Sequence, residues 1–212
     1  MRLRKQKNFD KRWQAVAPRY LLACENGEQG NCVAVTGQLH LELGCGKGHY
    51  LTACAARAPD ITHIGVERNR FALLIAMEMA QRAELGNIRF IDGDIEYLAD
   101  WFSNGQVARL DLLFSDPWPK DRYAKRRLTH RRFLEVYRRF LAHDGIMCVR
   151  TDNQGLFDFT LEEFAAGEWE MRSLTRDKHR DCPIDCDCLK TGYEWKFTEL
   201  GQPIYEAVVV AK

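Results

Sequence analysis

Residues 38–48, Gln38-Leu39-His40-Leu41-Glu42-Leu43-Gly44-Cys45-Gly46-Lys47-Gly48, decide the fold. Gln38–Leu43 reads as a short strand that runs straight into a G-x-G-x-G loop. A helix is expected over about 48–58, stopping before Pro59, because proline cannot continue one. Ile61–Glu67 reads as a second strand. Asn69 then has the chemistry of an N-cap for a helix carrying Phe71, Leu74, Ile75 and Met79 on one face, with Gly86 as its stop.

The alternation continues. Ile88–Ile91 makes a third strand and Leu110–Phe114 a fourth, ended abruptly by Ser115-Asp116-Pro117-Trp118-Pro119. A helix over about 130–142 places Phe133, Leu134, Tyr137, Phe140 and Leu141 on an apolar stripe. Ile146–Arg150 is a fifth strand, and two more strands are expected at about 169–175 and 204–211. Strands alternating with helices predict an α/β fold: a doubly wound, mostly parallel sheet with an antiparallel C-terminal strand. No repeat and no long linker divides the chain. The expected organisation is a basic N-terminal arm and helix over 1–37 and one catalytic domain over 38–212.

Composition bounds the function. The chain has 212 residues, 31 Lys plus Arg and 30 Asp plus Glu, a formal charge of +1. This balance excludes a histone-like protein, but the total hides local excess. Residues 1–20 hold seven basic residues against one acid, and residues 120–139 hold nine against two. No run approaches the length of a membrane span, and no apolar secretory core follows the charged start. The eight cysteines are then expected to be reduced in a cytoplasmic protein. Cys182, Cys186 and Cys188 lack the paired C-x2-C spacing of a zinc site, so no metal is expected.

Doubly wound sheets bind ligands where loops leave the carboxyl ends of the strands. Five acids fall at such ends: Glu42, Glu67, Asp94, Asp116 and Asp152. The glycine loop, with Gly44 and Gly46, is not the G-x-G-x-x-G of dinucleotide binders. Glu67 follows Gly44 by 23 residues, the distance at which an acid takes ribose hydroxyls. Carboxylates would repel a pyrophosphate but suit a cationic nucleoside. The pocket therefore points to S-adenosylmethionine rather than NAD. Beyond Asp116, two prolines stiffen the backbone around Trp118, and Lys120, Arg122, Lys125, Arg126 and Arg127 follow. Cations beside an aromatic suit phosphate and an exposed base, hence a nucleic-acid substrate.

Several motifs carry a resemblance. Glu42-Leu43-Gly44-Cys45-Gly46-Lys47-Gly48 and Gly65-Val66-Glu67 occur broadly among Rossmann-like methyltransferases. More specific are L-F-S-D-P-W-P-K (113–120), K-R-R-L (125–128), R-T-D (150–152), T-G-Y-E-W-K-F (191–197) and G-Q-P-I-Y (201–205). With these, the chain resembles the tRNA (guanine-N7-)-methyltransferases, a class I S-adenosylmethionine-dependent family, over about 38–206. The resemblance implies Glu42, Gly44, Gly46, Glu67, Asp94 and Asp116 at the methyl donor, with Asp116 catalytic. It implies Lys120, Asp152 and Thr191, Gly192, Tyr193 and Glu194 at the substrate, and 7-methylguanosine in the tRNA variable loop as product. The protein would act without a membrane, as a monomer or homodimer. Ser115, where the family usually has a bulkier residue, and the cysteine-rich stretch 182–188 depart from the pattern. The alternatives are methylation of an exocyclic amine, a non-catalytic RNA-binding module, and, less consistent with the glycine spacing, an NAD-dependent oxidoreductase.

Overall fold

A computed structural model describes residues 7–23, 37–181, 194 and 200–212, with backbone only at 99 and 100. Seven strands form one mixed sheet, mostly parallel, with an antiparallel strand near its C-terminal end. The chain divides into two compact units, Met1–Ser103 and Asn104–Lys212.

The first unit holds β1 (Leu39–Leu43), β2 (Thr62–Glu67) and β3 (Ile88–Asp92), all parallel, in the order β3-β2-β1. β1 is buried at every position, as an apolar strand covered on both faces should be. α2 (His49–Arg57) and α3 (Arg70–Arg82) cross between strands, and a short α4 (Leu98–Trp101) follows β3. Asn69 caps α3 as its chemistry predicts, its Oδ1 accepting from the backbone N–H groups of Phe71 at 3.0 Å and Ala72 at 3.4 Å.

The expected apolar face of α3 is only part of what it buries. Leu73, Leu74, Ala76, Met77 and Ala80 are fully enclosed, whereas Phe71, Ile75 and Met79 are half-buried. The reason is α1 (Phe9–Tyr20), which covers the flank of α3 that carries Phe71. Val16 and Tyr20 of α1 enter the same core as Leu73 and Phe90, and the Phe9 ring meets that of Phe71 edge-on at 5.1 Å. Burying two such side chains is worth about 1.5–3 kcal/mol each. The helix in the N-terminal region is thus part of the first unit's core, while residues 1–6 lie outside the described residues.

In the second unit the order is β4 (Val107–Leu113), β5 (Leu141–Thr151), β7 (Tyr205–Ala211), β6 (Trp169–Thr175). β4 and β5 are parallel, and β7 runs antiparallel to both β5 and β6. α5 (Arg131–Phe140) buries Phe133, Leu134, Tyr137 and Phe140, the stripe expected from its spacing. The starts of β4 and β5 come earlier than expected. β5 starts at Leu141, directly after α5, because Leu141 pairs with Val107 before a register shift. Asp144 lies within that irregular stretch at φ 61°, so its local sequence reads as a loop. The helix α6 (Gln154–Ala166) was not expected; Asn153 caps it, accepting from the Leu156 N–H at 2.8 Å.

Candidate active site

The glycine loop is assembled on the first unit by backbone. Gly44 and Cys45 both donate to the Val66 carbonyl, at 2.8 and 3.1 Å, which fastens the end of β1 to β2. Gly44, Gly46 and Gly48 all have positive φ, 75°, 56° and 74°, which only glycine adopts without strain. Their surroundings differ. A methyl group added at Gly44 or Gly46 would meet no protein atom within 4 Å, whereas at Gly48 it would lie 2.7 Å from the Ala76 Cβ. Gly48 serves helix packing, and Gly44 and Gly46 leave a space over the loop.

Carboxylates frame that space. Glu67 ends β2 and is locked by two backbone donors: Gly46 N–H to Oε2 at 3.0 Å and Asn69 N–H to Oε1 at 2.7 Å. A carboxylate has about four lone-pair sites, so acceptor capacity for two hydroxyls remains. Glu42 is buried near the end of β1, 4% exposed. Between them lies Cys45, whose thiol is pushed well above its usual range by burial first and then by the charges of Glu42 and Glu67. Cys45 therefore stays protonated and is no nucleophile. Asp94, two residues past β3, is more exposed. Its carboxylate accepts from the Glu96 N–H at 3.2 Å, capping a short 3-10 turn, and lies 3.8 Å from Arg68.

The second unit presents its acids otherwise. Phe114 donates to the Arg150 carbonyl at 2.8 Å, so the chain leaving β4 stays beside β5. Asp116 follows on an exposed loop, with Lys120 also exposed. Asp152, exposed as well, leaves the same end of β5. Phe114 at φ 54° and Trp118 at φ 40° are strained non-glycine residues, each costing about 1–3 kcal/mol. Arg127 holds the loop against this strain. It is 8% exposed, lies 4.4 Å over the Phe159 ring, and donates to the carbonyls of Pro117 at 3.2 Å and Trp118 at 3.1 Å.

Glu194 is placed differently from Lys120 and Asp152. It is fully buried, 3.5 Å from the guanidinium of Arg150. Arg150 also pairs with Glu206, opposite it across β5 and β7, and Lys178 reaches Glu206 at 2.9 Å. Burial by itself would raise the Glu206 carboxyl, but Arg150 and Lys178 outweigh it and hold it below its ordinary range. Thr191, Gly192 and Tyr193, and the cysteines 182, 186 and 188, lie outside the described residues. Among the described residues no group of acids, histidines and cysteines is arranged to hold a metal ion, and no helix is long and apolar enough to cross a membrane.

A family model described as "Putative methyltransferase" matches residues 36–207. A tRNA (guanine-N(7)-)-methyltransferase of Brevibacillus brevis is 42% identical over 176 residues, 82% of each chain. One from Clostridioides difficile is 40% identical over 167 residues, 79% of this chain and 77% of that one. The chain belongs to the tRNA (guanine-N7-)-methyltransferase family. Among solved structures, the 16S rRNA methyltransferase KamB aligns with TM-score 0.62 at 11% identity, over 100% of this chain and 97% of that one. A 30S ribosomal A1408 methyltransferase aligns with TM-score 0.60 at 15% identity, over 98% and 96%. At such identities the likeness is one of fold, and it matches the expected class I methyltransferase architecture.

Within this tRNA (guanine-N7-)-methyltransferase family member, sequence reasoning named the strand-end acids but missed Arg127 and Arg150 as the residues that hold the second unit's loops. Arg127 stood in a run read entirely as surface charge. Its hydrogen bonds to the Pro117 and Trp118 carbonyls have no local signature.

Proposed function

We propose that this methyltransferase transfers the methyl group of S-adenosylmethionine to N7 of a guanine in the variable loop of tRNA, with Asp116 as the catalytic residue. The observation that carries the reading is the glycine loop, open above Gly44 and Gly46 and framed by the locked carboxylate of Glu67 and the buried one of Glu42. These residues fit a cationic nucleoside: Glu67 to accept the ribose hydroxyls, Glu42 to oppose the positive charge, Asp94 to complete the rim. When bound, S-adenosylmethionine supplies an electrophilic methyl group on a sulfonium.

Guanine N7 has a free lone pair at neutral pH, so no base need remove a proton from the attacking atom. What remains for the protein is alignment and electrostatics. Asp116 accepts from the guanine N1–H and N2–H, orients the ring and stabilises the positive charge that grows on the purine. Asp152 lies at the same end of the β4–β5 pair and supports this edge. Lys120 holds a phosphate or the O6 edge. Thr191, Gly192 and Tyr193 contribute to the substrate side, and Glu194 is held by Arg150.

The test is incubation of tRNA lacking the modification with labelled donor, followed by borohydride–aniline cleavage at 7-methylguanosine. Cleavage is expected at a single variable-loop guanine. Asp116→Ala should lower kcat by about 10²–10³-fold, the magnitude for losing one preorganised electrostatic group. Near-normal turnover of that variant would remove Asp116 from its role. Methyl label on an exocyclic amine would replace the reaction.

A further inference from the structure

Seven of the nine basic residues over 120–139 fall into two sets. Arg127 is committed to the loop carbonyls, Arg131 pairs with Glu163 at 2.9 Å, and Arg138 pairs with Glu168. Lys120, Arg122, Lys125 and Arg126 are exposed, and among the described residues they form no salt bridge. Two of these four lie on aromatic faces instead. Arg126 sits 4.9 Å from the centre of the Trp118 ring and 5.0 Å from that of Tyr123, and Arg122 sits 4.8 Å over Tyr123. The two rings meet edge to face, 5.9 Å apart at 69°, and both are half-buried.

We propose that Trp118, Tyr123 and Arg126 form a stacking platform for an unpaired nucleobase of the RNA substrate, beside the guanine that is methylated. The proposal rests on the tRNA reading above and deepens it. Three features converge. A π face and a guanidinium plane are the two surfaces on which a base stacks whatever its identity. The unneutralised cations Lys120, Arg122 and Lys125 flank the rings in sequence, where the phosphates on either side of a stacked base need partners. Trp118 is held at φ 40° by hydrogen bonds from a buried arginine to its own carbonyl, so the strained backbone presents the ring on a fixed loop. The platform positions RNA; the methyl-transfer chemistry stays with Asp116.

Steady-state kinetics on unmodified tRNA tests this, comparing wild type with Tyr123→Ala, Tyr123→Phe and Arg126→Gln, with donor affinity measured in parallel by calorimetry. Stacking is worth about 1–3 kcal/mol per base, so Tyr123→Ala should raise KM for tRNA about tenfold while kcat falls much less. Tyr123→Phe keeps the ring and should recover most of the loss. Donor affinity should hold in all variants. Arg126→Gln, at an exposed side chain that folding does not need, should raise KM and reduce the slope of log affinity against log salt by about one. Tyr123→Ala should leave that slope unchanged. A KM for tRNA unaltered in Tyr123→Ala, with the wild type active, overturns the platform and leaves the tRNA reading standing. Wild-type protein that forms no 7-methylguanosine overturns both.

Discussion

The proposed donor side, in the first unit, and the proposed acceptor side, in the second, are built by opposite strategies. In the first unit the key carboxylates are fixed before any ligand arrives: Glu67 accepts two backbone N–H groups and Glu42 is enclosed in β1. In the second unit Asp116, Lys120 and Asp152 stand in solvent, and it is the backbone beneath them that is pinned, by Arg127 and by the cap at Asn153. A small, rigid nucleoside can be met by a preformed cradle, which lowers the entropy lost on binding. A polyanion many times larger brings charge and shape of its own, and exposed side chains can adapt to it. The second unit puts its rigidity one layer down, in the buried charges of Arg150, Glu194 and Lys178 and the half-buried Glu206 that pairs with two of them.

That buried layer is where the contrast breaks hardest. Arg150→Met leaves Glu194 and Glu206 enclosed without their guanidinium, and losing one partner of a buried ion pair costs about 3–5 kcal/mol. Thermal unfolding of this variant should show that loss, and the donor affinity of the protein that remains folded should change little. The effect has a defined pH dependence. Glu206 in the folded protein titrates below its ordinary carboxylate range, so its contribution is complete above the unfolded value of about 4.3. It disappears as pH falls through the lowered folded value. The melting difference between wild type and Arg150→Met should be largest near neutral pH and should narrow on acidification, as Glu206 is protonated. A difference that widened on acidification would exclude Glu206 as the paired group.

A substitution on the donor side should have the reverse profile. Glu67→Gln keeps the shape but turns one acceptor oxygen into an NH2 group facing a backbone N–H, Gly46 or Asn69. Hydrogen bonds to a charged group are worth about 1.5–3 kcal/mol. Calorimetry should find donor affinity reduced about 10²-fold, with KM for tRNA at saturating donor changed far less. If both affinities fell together, the division of labour between the units would be wrong.

How legible each side was follows from the range of its interactions. The strand leading into Gly44 and the cap at Asn69 are set by residues a few positions apart, and Glu67 by its spacing from the glycine loop, so the sequence shows them directly. The charge network joins residues 28, 44 and 56 positions apart, beyond any local pattern. The basic run was overcounted as free charge for the same reason: Arg131 and Arg138 are neutralised by acids 32 and 30 positions away, in or just after a helix that was itself missed. α6 escaped because its cap, Asn153, directly follows Thr151-Asp152, which reads as the end of a strand and a functional loop. Glu194 shows the same limit, since membership of a motif says that a residue matters but not whether it faces solvent.

The smallest expected effect concerns the attachment of α1 and separates packing from charge within the first unit. Arg12 forms a two-pronged ion pair with Glu78 of α3, at 2.7 and 2.6 Å, but its side chain is 36% exposed. Pairs so open to solvent contribute about 0.2–1 kcal/mol, whereas Val16 and Tyr20 of the same helix are enclosed. Arg12→Ala should therefore lower stability by less than about 1 kcal/mol and should lose its effect in high salt, as screening weakens the pair it removes. Tyr20→Ala should cost about 3–5 kcal/mol, as aromatic truncations in a core do, and should be insensitive to salt. If Arg12→Ala proved the costlier change, α1 would be held by charge, and the preformed character of the proposed donor side would depend on ionic strength as binding at the proposed RNA surface should.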